Sequence, residues 1–196
     1  MIANLTEAEK QTLLSLAREA LESSVHGTKI PPVDEARLTA LLSGQGASFV
    51  TLTINKQLRG CIGALQAYQP LYIDVREHAV AAALQDYRFP PVRPSELSKI
   101  HIEVSRLTEP QTLIYQDPDD LLARLRPGID GVILRDGPHR ATFLPQVWDQ
   151  IPNKEEFLGH LCVKMGAAPN QWKYKHLDVQ IYQVEEFHEQ DKAVTA

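Results

Sequence analysis

Ala47-Ser48-Phe49-Val50-Thr51-Leu52-Thr53-Ile54, then Asn55-Lys56-Gln57, then Leu58-Arg59-Gly60-Cys61-Ile62-Gly63 reads as a strand, a turn and a returning strand. The first arm is rich in β-branched residues, which suit a pleated, half-buried surface. A three-residue loop at 55–57 sets Ile54 opposite Leu58, Leu52 opposite Gly60 and Val50 opposite Ile62, with Thr53 facing Arg59 and Thr51 facing Cys61. That register collects the aliphatic side chains on one face and the polar ones on the other. A two-residue loop would mix the faces, which a sheet with one buried side resists. Leu58 and Ile62 are therefore expected in the core, with Arg59 and Cys61 together on the polar face. Two glycines inside one strand signal a bulge, a bend or a close approach by ligand or backbone. A cysteine beside a fixed positive charge can carry a more available thiolate.

Upstream, Thr6 and Glu9 form a capping-box pattern before an apolar stripe of Leu13, Leu14, Leu16, Ala17, Ala20 and Leu21, predicting a helix over 7–23. Asp34 is expected to cap a second short helix carrying Leu38, Leu41 and Leu42, ended by Gly44 and Gly46. Downstream, Pro70 suits the first turn of a helix over 71–86 whose alanines permit close packing. Tyr87 to Val92 must leave that helix, because a residue before proline is pushed to extended backbone. Ile100 to Leu107 alternates as a strand, with Ile100, Ile102, Val104 and Arg106 inward and His101, Glu103 and Ser105 on the other face. A helix from Asp117 to Leu125, a hairpin of Gly131–Leu134 and Arg140–Leu144, an Asn153-capped helix to Met165 and a strand over Val179–Val184 complete the reading. Residues after about Phe187 are expected to fray. Helices and hairpins mix without a βαβ rhythm, which favours α+β with an antiparallel sheet.

The chain has 196 residues and a net charge of −5, with no run of Lys or Arg. That balance argues against a nucleic-acid backbone as the main partner. The apolar runs fall short of a membrane span. Met1 to Glu7 lacks the pattern of a secretory signal, and two cysteines make no disulfide framework. The expectation is a soluble cytoplasmic protein with free thiols. CxxC, HExxH, GxxxxGK[ST], GxGxxG and nucleophile-elbow patterns are all missing, which argues against dedicated zinc, nucleotide or serine-hydrolase chemistry.

Three groups carry candidate chemistry. Cys61 is a nucleophile or redox thiol assisted by Arg59, or a small packed residue. His160 has Glu156 four residues earlier on one helical face, as an oriented imidazole or as a solvated pair. His101, Glu103 and Ser105 are a functional row if their face meets Arg59 and Cys61, and otherwise a solvated sheet face. Cys162, two residues after His160, is read as core.

Leu58 to Gly63, Asp86-Tyr87-Arg88-Phe89-Pro90-Pro91, Ile102-Glu103-Val104-Ser105, Gly131 to Leu134, Ala141 to Trp148 and Phe157 to Cys162 together resemble the AMMECR family. The likeness runs from the first helix to about residue 187. Bacterial and archaeal relatives look like protein A of the AmmeMemoRadiSam system, beside a Memo-like protein and a radical-SAM protein. The resemblance implies an α+β fold with an antiparallel sheet flanked by helices and two unequal lobes. The larger lobe is built from both chain ends and the smaller is inserted in the middle, within one domain over 1–187, leaving a flexible tail at 188–196. It places the family's suspected site in a cleft between lobes near the six-residue motif. Carried over, the candidate residues are Arg59, Gly60, Cys61, Gly63, Arg88, Glu103, Thr142 and His160. Tyr87 stands where the family usually has proline, and Gly159 where serine is common. No cofactor or reaction follows from the likeness. Two functions remain open: a ligand- or partner-binding component, and an enzyme using Cys61 with Arg59, Glu103 or His160.

Overall fold

The computed structural model describes residues 4–190. In chain order the helices are α1 (Glu7–Val25), α2 (Ala40–Ser43), α3 (Leu71–Leu84), α4 (Pro118–Arg124), α5 (Lys154–Lys164) and α6 (Gln171–Tyr174). The strands are β1 (Gln45–Ile54), β2 (Gln57–Gly63), β3 (Gln69–Pro70), β4 (Ile100–Leu107), β5 (Gln111–Thr112), β6 (Gly131–Asp136), β7 (His139–Phe143), β8 (Asp178–Tyr182) and β9 (Val184–His188). Contacts divide the chain into two compact units, one of residues 1–107 with 185–196 and one of residues 108–184. The architecture is α+β, with antiparallel pairing in both sheets.

In the first unit the strand order is β2-β1-β4-β9, with β3 against the start of β1. Val50, Leu52, Ile102 and Val104 point to one face and join Leu13, Leu21, Leu71, Val75 and Ala79 from α1 and α3 in a single apolar core. α1 starts with the expected capping box, Thr6 accepting from the Glu9 amide while Glu9 takes the Thr6 amide. The segment after Asp34 departs from expectation. Asp34 caps only a 3-10 turn over Glu35–Arg37, and Thr39 then caps the separate helix α2. Each cap holds one short turn, so the chain breaks at Leu38 between them.

The hairpin keeps the expected register at its far end, with Val50 opposite Ile62, Thr51 opposite Cys61 and Leu52 opposite Gly60. Nearer the turn it differs. Asn55 and Lys56 both take positive φ, 52° and 63°, and close a two-residue loop in which Ile54 pairs Gln57 and Thr53 pairs Leu58. Positive φ at both central residues is the geometry that matches strand twist in a tight hairpin. The register recovers because β2 carries a bulge that leaves Arg59 without a cross-strand partner. Leu58 consequently shares the Thr53 face and is 45% exposed, rather than entering the core.

The second unit orders its sheet β5-β8-β6-β7 and packs Leu121, Leu134, Phe157, Leu158, Leu161, Trp148 and Trp172 into its own core. Trp148 stacks on Phe157 at 3.5 Å between ring centroids and donates its indole N–H to the Asp130 carbonyl. Cys162 is buried there as expected, and burial pushes its thiol up. The run read as one strand over Val179–Val184 is two, with β8 in the second unit's sheet and β9 in the first unit's. His188 closes β9. Glu189 is held by Arg18 and by the Ile102 amide at 3.0 Å, so order persists beyond Phe187. Residues 191–196 of the expected tail lie outside the described residues.

Candidate functional site

Alternation along β1, β2 and β4 sends Thr51, Cys61 and Glu103 to the face opposite the helices. Thr51 is the cross-strand partner of both Cys61 and Glu103, so the three form one row. The Thr51 hydroxyl donates to Cys61 Sγ at 3.2 Å. Two strand spacings separate Cys61 from Glu103, about 10 Å, and no hydrogen bond joins them among the described residues. Ser105 continues the face along β4, its hydroxyl 3.5 Å from the Glu186 carboxylate on β9. His101 lies 5.6 Å, ring to ring, from His188. Burial, then repulsion from Glu186, raises the Glu103 carboxyl above the ordinary carboxylate range, against the pull of His188 and His101. The face thus gathers two carboxylates, two imidazoles, two hydroxyls and a thiol.

The rest of the motif is held by internal partners. Arg59 donates from Nε to Glu96 Oε1 at 2.8 Å and from Nη2 to Oε2 at 3.2 Å, a forked pair that is mostly buried. This guanidinium holds Glu96 below the ordinary range. Its charge is therefore paired with a carboxylate 37 residues away rather than with the thiol, while Nη1 is buried without a partner. Gly60 sits where α3 crosses the sheet, and a Cβ there would lie 2.1 Å from the Ala82 carbonyl oxygen. A Cβ on Gly63 would lie 2.4 Å from the Phe49 ring and from the Ser48 carbonyl oxygen. Both glycines serve close approach of the protein to itself.

Asp86 is the residue that sequence reasoning quoted but did not single out. Its side chain is almost fully buried, accepts the Cys61 amide at 2.9 Å and takes both arms of Arg88 at 2.9 and 2.7 Å. Arg88 also donates to the Cys61 carbonyl at 3.1 Å. Asp86 and Arg88, in the loop after α3, thus clamp both backbone polar groups of Cys61. Hydrogen bonds from Arg88, and then from the Cys61 amide, hold the Asp86 carboxyl far below its usual range despite burial. Sequence could have signalled this: an Asp at the last position of a predicted helix, two before an Arg, is a local bidentate pair. Tyr87 between them is 95% exposed.

Thr142 and His160 belong to the second unit. Thr142 is buried on β7 with its hydroxyl 3.1 Å from the Tyr182 hydroxyl, whose pKa burial pushes up to about 12. His160 is exposed on α5 and lines a groove of about 440 Å³ with Glu156, Trp172 and Lys173. No hydrogen bond or ion pair joins Glu156 to His160 among the described residues, so the expected carboxylate–imidazole pair does not form. Gly159 beside it lies where a Cβ would meet the Pro169 carbonyl at 3.3 Å, a place tight for serine. No helix among the described residues is long and apolar enough to cross a membrane, and none of their His, Cys, Asp and Glu groups is placed to hold a metal ion.

The chain is an α+β protein of two units whose antiparallel sheets are flanked by helices. The AMMECR1 family model matches residues 14–187, and the chain belongs to that family. It is 38% identical over 192 residues to a protein of Methanothermobacter thermautotrophicus, covering 95% of this chain and 97% of the relative. A protein of Methanopyrus kandleri is 36% identical over 195 residues, with 95% and 91% covered. Among solved structures, an uncharacterized protein from Pyrococcus horikoshii superposes with a TM-score of 0.80 at 32% identity, covering 94% of this chain and 93% of that one.

Proposed function

We propose that this protein is a non-catalytic binding component of an AmmeMemoRadiSam-type modification system, beside a Memo-like protein and a radical-SAM protein. Its recognition surface in this reading is the sheet face carrying Cys61, Thr51, Glu103 and Ser105. The observation that supports it is how the six-residue motif is used. Arg59 is spent on Glu96, Gly60 and Gly63 on close packing, and both backbone groups of Cys61 on Asp86 and Arg88. A nucleophile is activated by an adjacent base, by a lowered pKa or by a metal. Among the described residues the hydrogen-bond partner of the Cys61 thiol is the Thr51 hydroxyl, which is no base. The motif then reads as scaffold for a rigid polar face, and polar groups on a rigid face suit recognition.

The experiment is gel filtration of the purified chain with Memo-like and radical-SAM proteins from the same organism. Co-elution of the wild type and of Cys61→Ser, with loss in Glu103→Arg, is the expected result. Failure of the wild type to co-elute with either protein overturns the reading.

A second reading rests on Glu103. A carboxyl held above its ordinary range is suited to proton transfer, and it shares a row with a half-buried thiol. At about 10 Å the two would act on a ligand lying between them, with Cys61 as nucleophile or redox thiol. Covalent labelling of Cys61 by a substrate, lost in Glu103→Gln, would favour it.

A further inference from the structure

On the helix side of the same unit, α3 walls a cavity of about 770 Å³ that the motif face does not use. Its size falls within the range of small-molecule sites. Pro32, Ile62, Ile73 and Val80 give it an apolar wall, and Lys29 and Arg76 bring two cations to it. His78 lines it as well, and its ring is fixed from behind. His78 Nδ1 lies 3.1 Å from Asp74 Oδ2, one turn earlier on α3, and the same oxygen accepts from the Ser48 hydroxyl at 2.6 Å. Asp74 and Ser48 are fully buried, and His78 is 7% exposed. The carboxylate at Nδ1 takes that nitrogen's proton and orients the ring, and Nε2 on its far side accepts whenever the imidazole is neutral. Nε2 has no partner among the described residues.

Arg76 is built in a similar way. Its Nη2 donates to the Pro31 carbonyl, which fixes the guanidinium, while Nε is buried without a partner. Glu77, which also lines the cavity, already accepts from Gln69 at 2.9 Å. An acceptor from an oriented histidine, an incompletely used guanidinium, a lysine and an apolar wall form a complementary set. We infer that this cavity binds a small organic acid with an apolar body. Its carboxylate is taken by Arg76 and Lys29, and a hydroxyl or N–H on its body donates to His78 Nε2. The site lies on the opposite side of the sheet from Cys61 and Glu103, so it stands or falls independently of the function proposed above.

The test uses 4-hydroxyphenylacetate, phenylacetate and tyramine as probes, with affinity read from amide and imidazole shifts in NMR titrations of the full chain. The expected result is that 4-hydroxyphenylacetate binds, shifting His78 and Ile62. Phenylacetate should bind about tenfold more weakly for want of one hydrogen bond, and tyramine, with an ammonium in place of the carboxylate, should bind more weakly still. Arg76→Gln should cost about tenfold or more, and His78→Phe should erase the preference for the hydroxyl while keeping phenylacetate binding. Absence of binding by 4-hydroxyphenylacetate, equal binding of tyramine, or shifts confined to other residues overturns the proposal. Should a variant not fold, the three probes on the wild type still decide between these results.

Discussion

Asp86 accepts the backbone amide of Cys61 at 2.9 Å, while its own charge is matched by both arms of Arg88. The loop after α3 is thereby tied to the middle of β2, and the thiol is placed by its backbone rather than by its side chain. Replacing Asp86 with Asn removes the charge that holds Arg88 and weakens the acceptor for Cys61. The expected cost is about 2–3 kcal/mol, since hydrogen bonds to charged groups are the stronger kind and Arg88 is partly solvated. Urea unfolding of the two proteins measures it.

The same carboxyl sets an acid limit on stability. Its folded pKa lies below the unfolded value, so its contribution is present above the unfolded value and is lost as pH falls through the folded one. Unfolding midpoints measured between pH 6 and pH 2 should fall less steeply for Asp86→Asn than for the wild type.

Glu103 works with the opposite sign. Burial and Glu186 raise its folded pKa, so the folded state binds the proton more readily than the unfolded chain does. Stability from this group is present at low pH and is lost as pH rises from the ordinary glutamate range through the raised value. Glu103→Gln should therefore be more stabilising, or less destabilising, at pH 7 than at pH 4. Paired denaturant melts at those two pH values check this directly.

Gly60 is expected to tolerate no side chain. A Cβ at 2.1 Å from the Ala82 carbonyl oxygen meets backbone, which cannot rotate away. Gly60→Ala must push α3 off the sheet and open the core around Leu52 and Val75, at a cost of about 3 kcal/mol or more, as overpacking does at its upper end. Thermal melting and hydrogen exchange of α3 amides report it.

Much of this arrangement was legible in the chain and part of it was not. Period-2 alternation placed Ile100, Ile102 and Val104 inward, and the aliphatic pattern fixed Val50, Leu52 and Ile62 on one face. The turn escaped because the faces can be kept apart in two ways, by an odd loop or by an even loop with a bulge. Nothing in Asn55-Lys56 marks a lysine for positive φ. Leu58 was misplaced for that reason alone. Arg59 and Glu96 are 37 residues apart, and their pairing depends on where a 3-10 turn docks, which local sequence does not encode. Asp74 and His78, by contrast, stand four apart on one helix, a spacing that puts them side by side.

Binding without thiol chemistry is tested most directly by isothermal titration of the Memo-like protein into wild type, Cys61→Ser and Glu103→Arg. A recognition face in which Cys61 is one small contact predicts Kd values for wild type and Cys61→Ser within about threefold, and a loss of about tenfold or more for Glu103→Arg, as expected where like charges or unpaired groups are forced into an interface. A Cys61→Ser variant that loses as much affinity as Glu103→Arg would contradict it, as would a wild type that gives no binding heat.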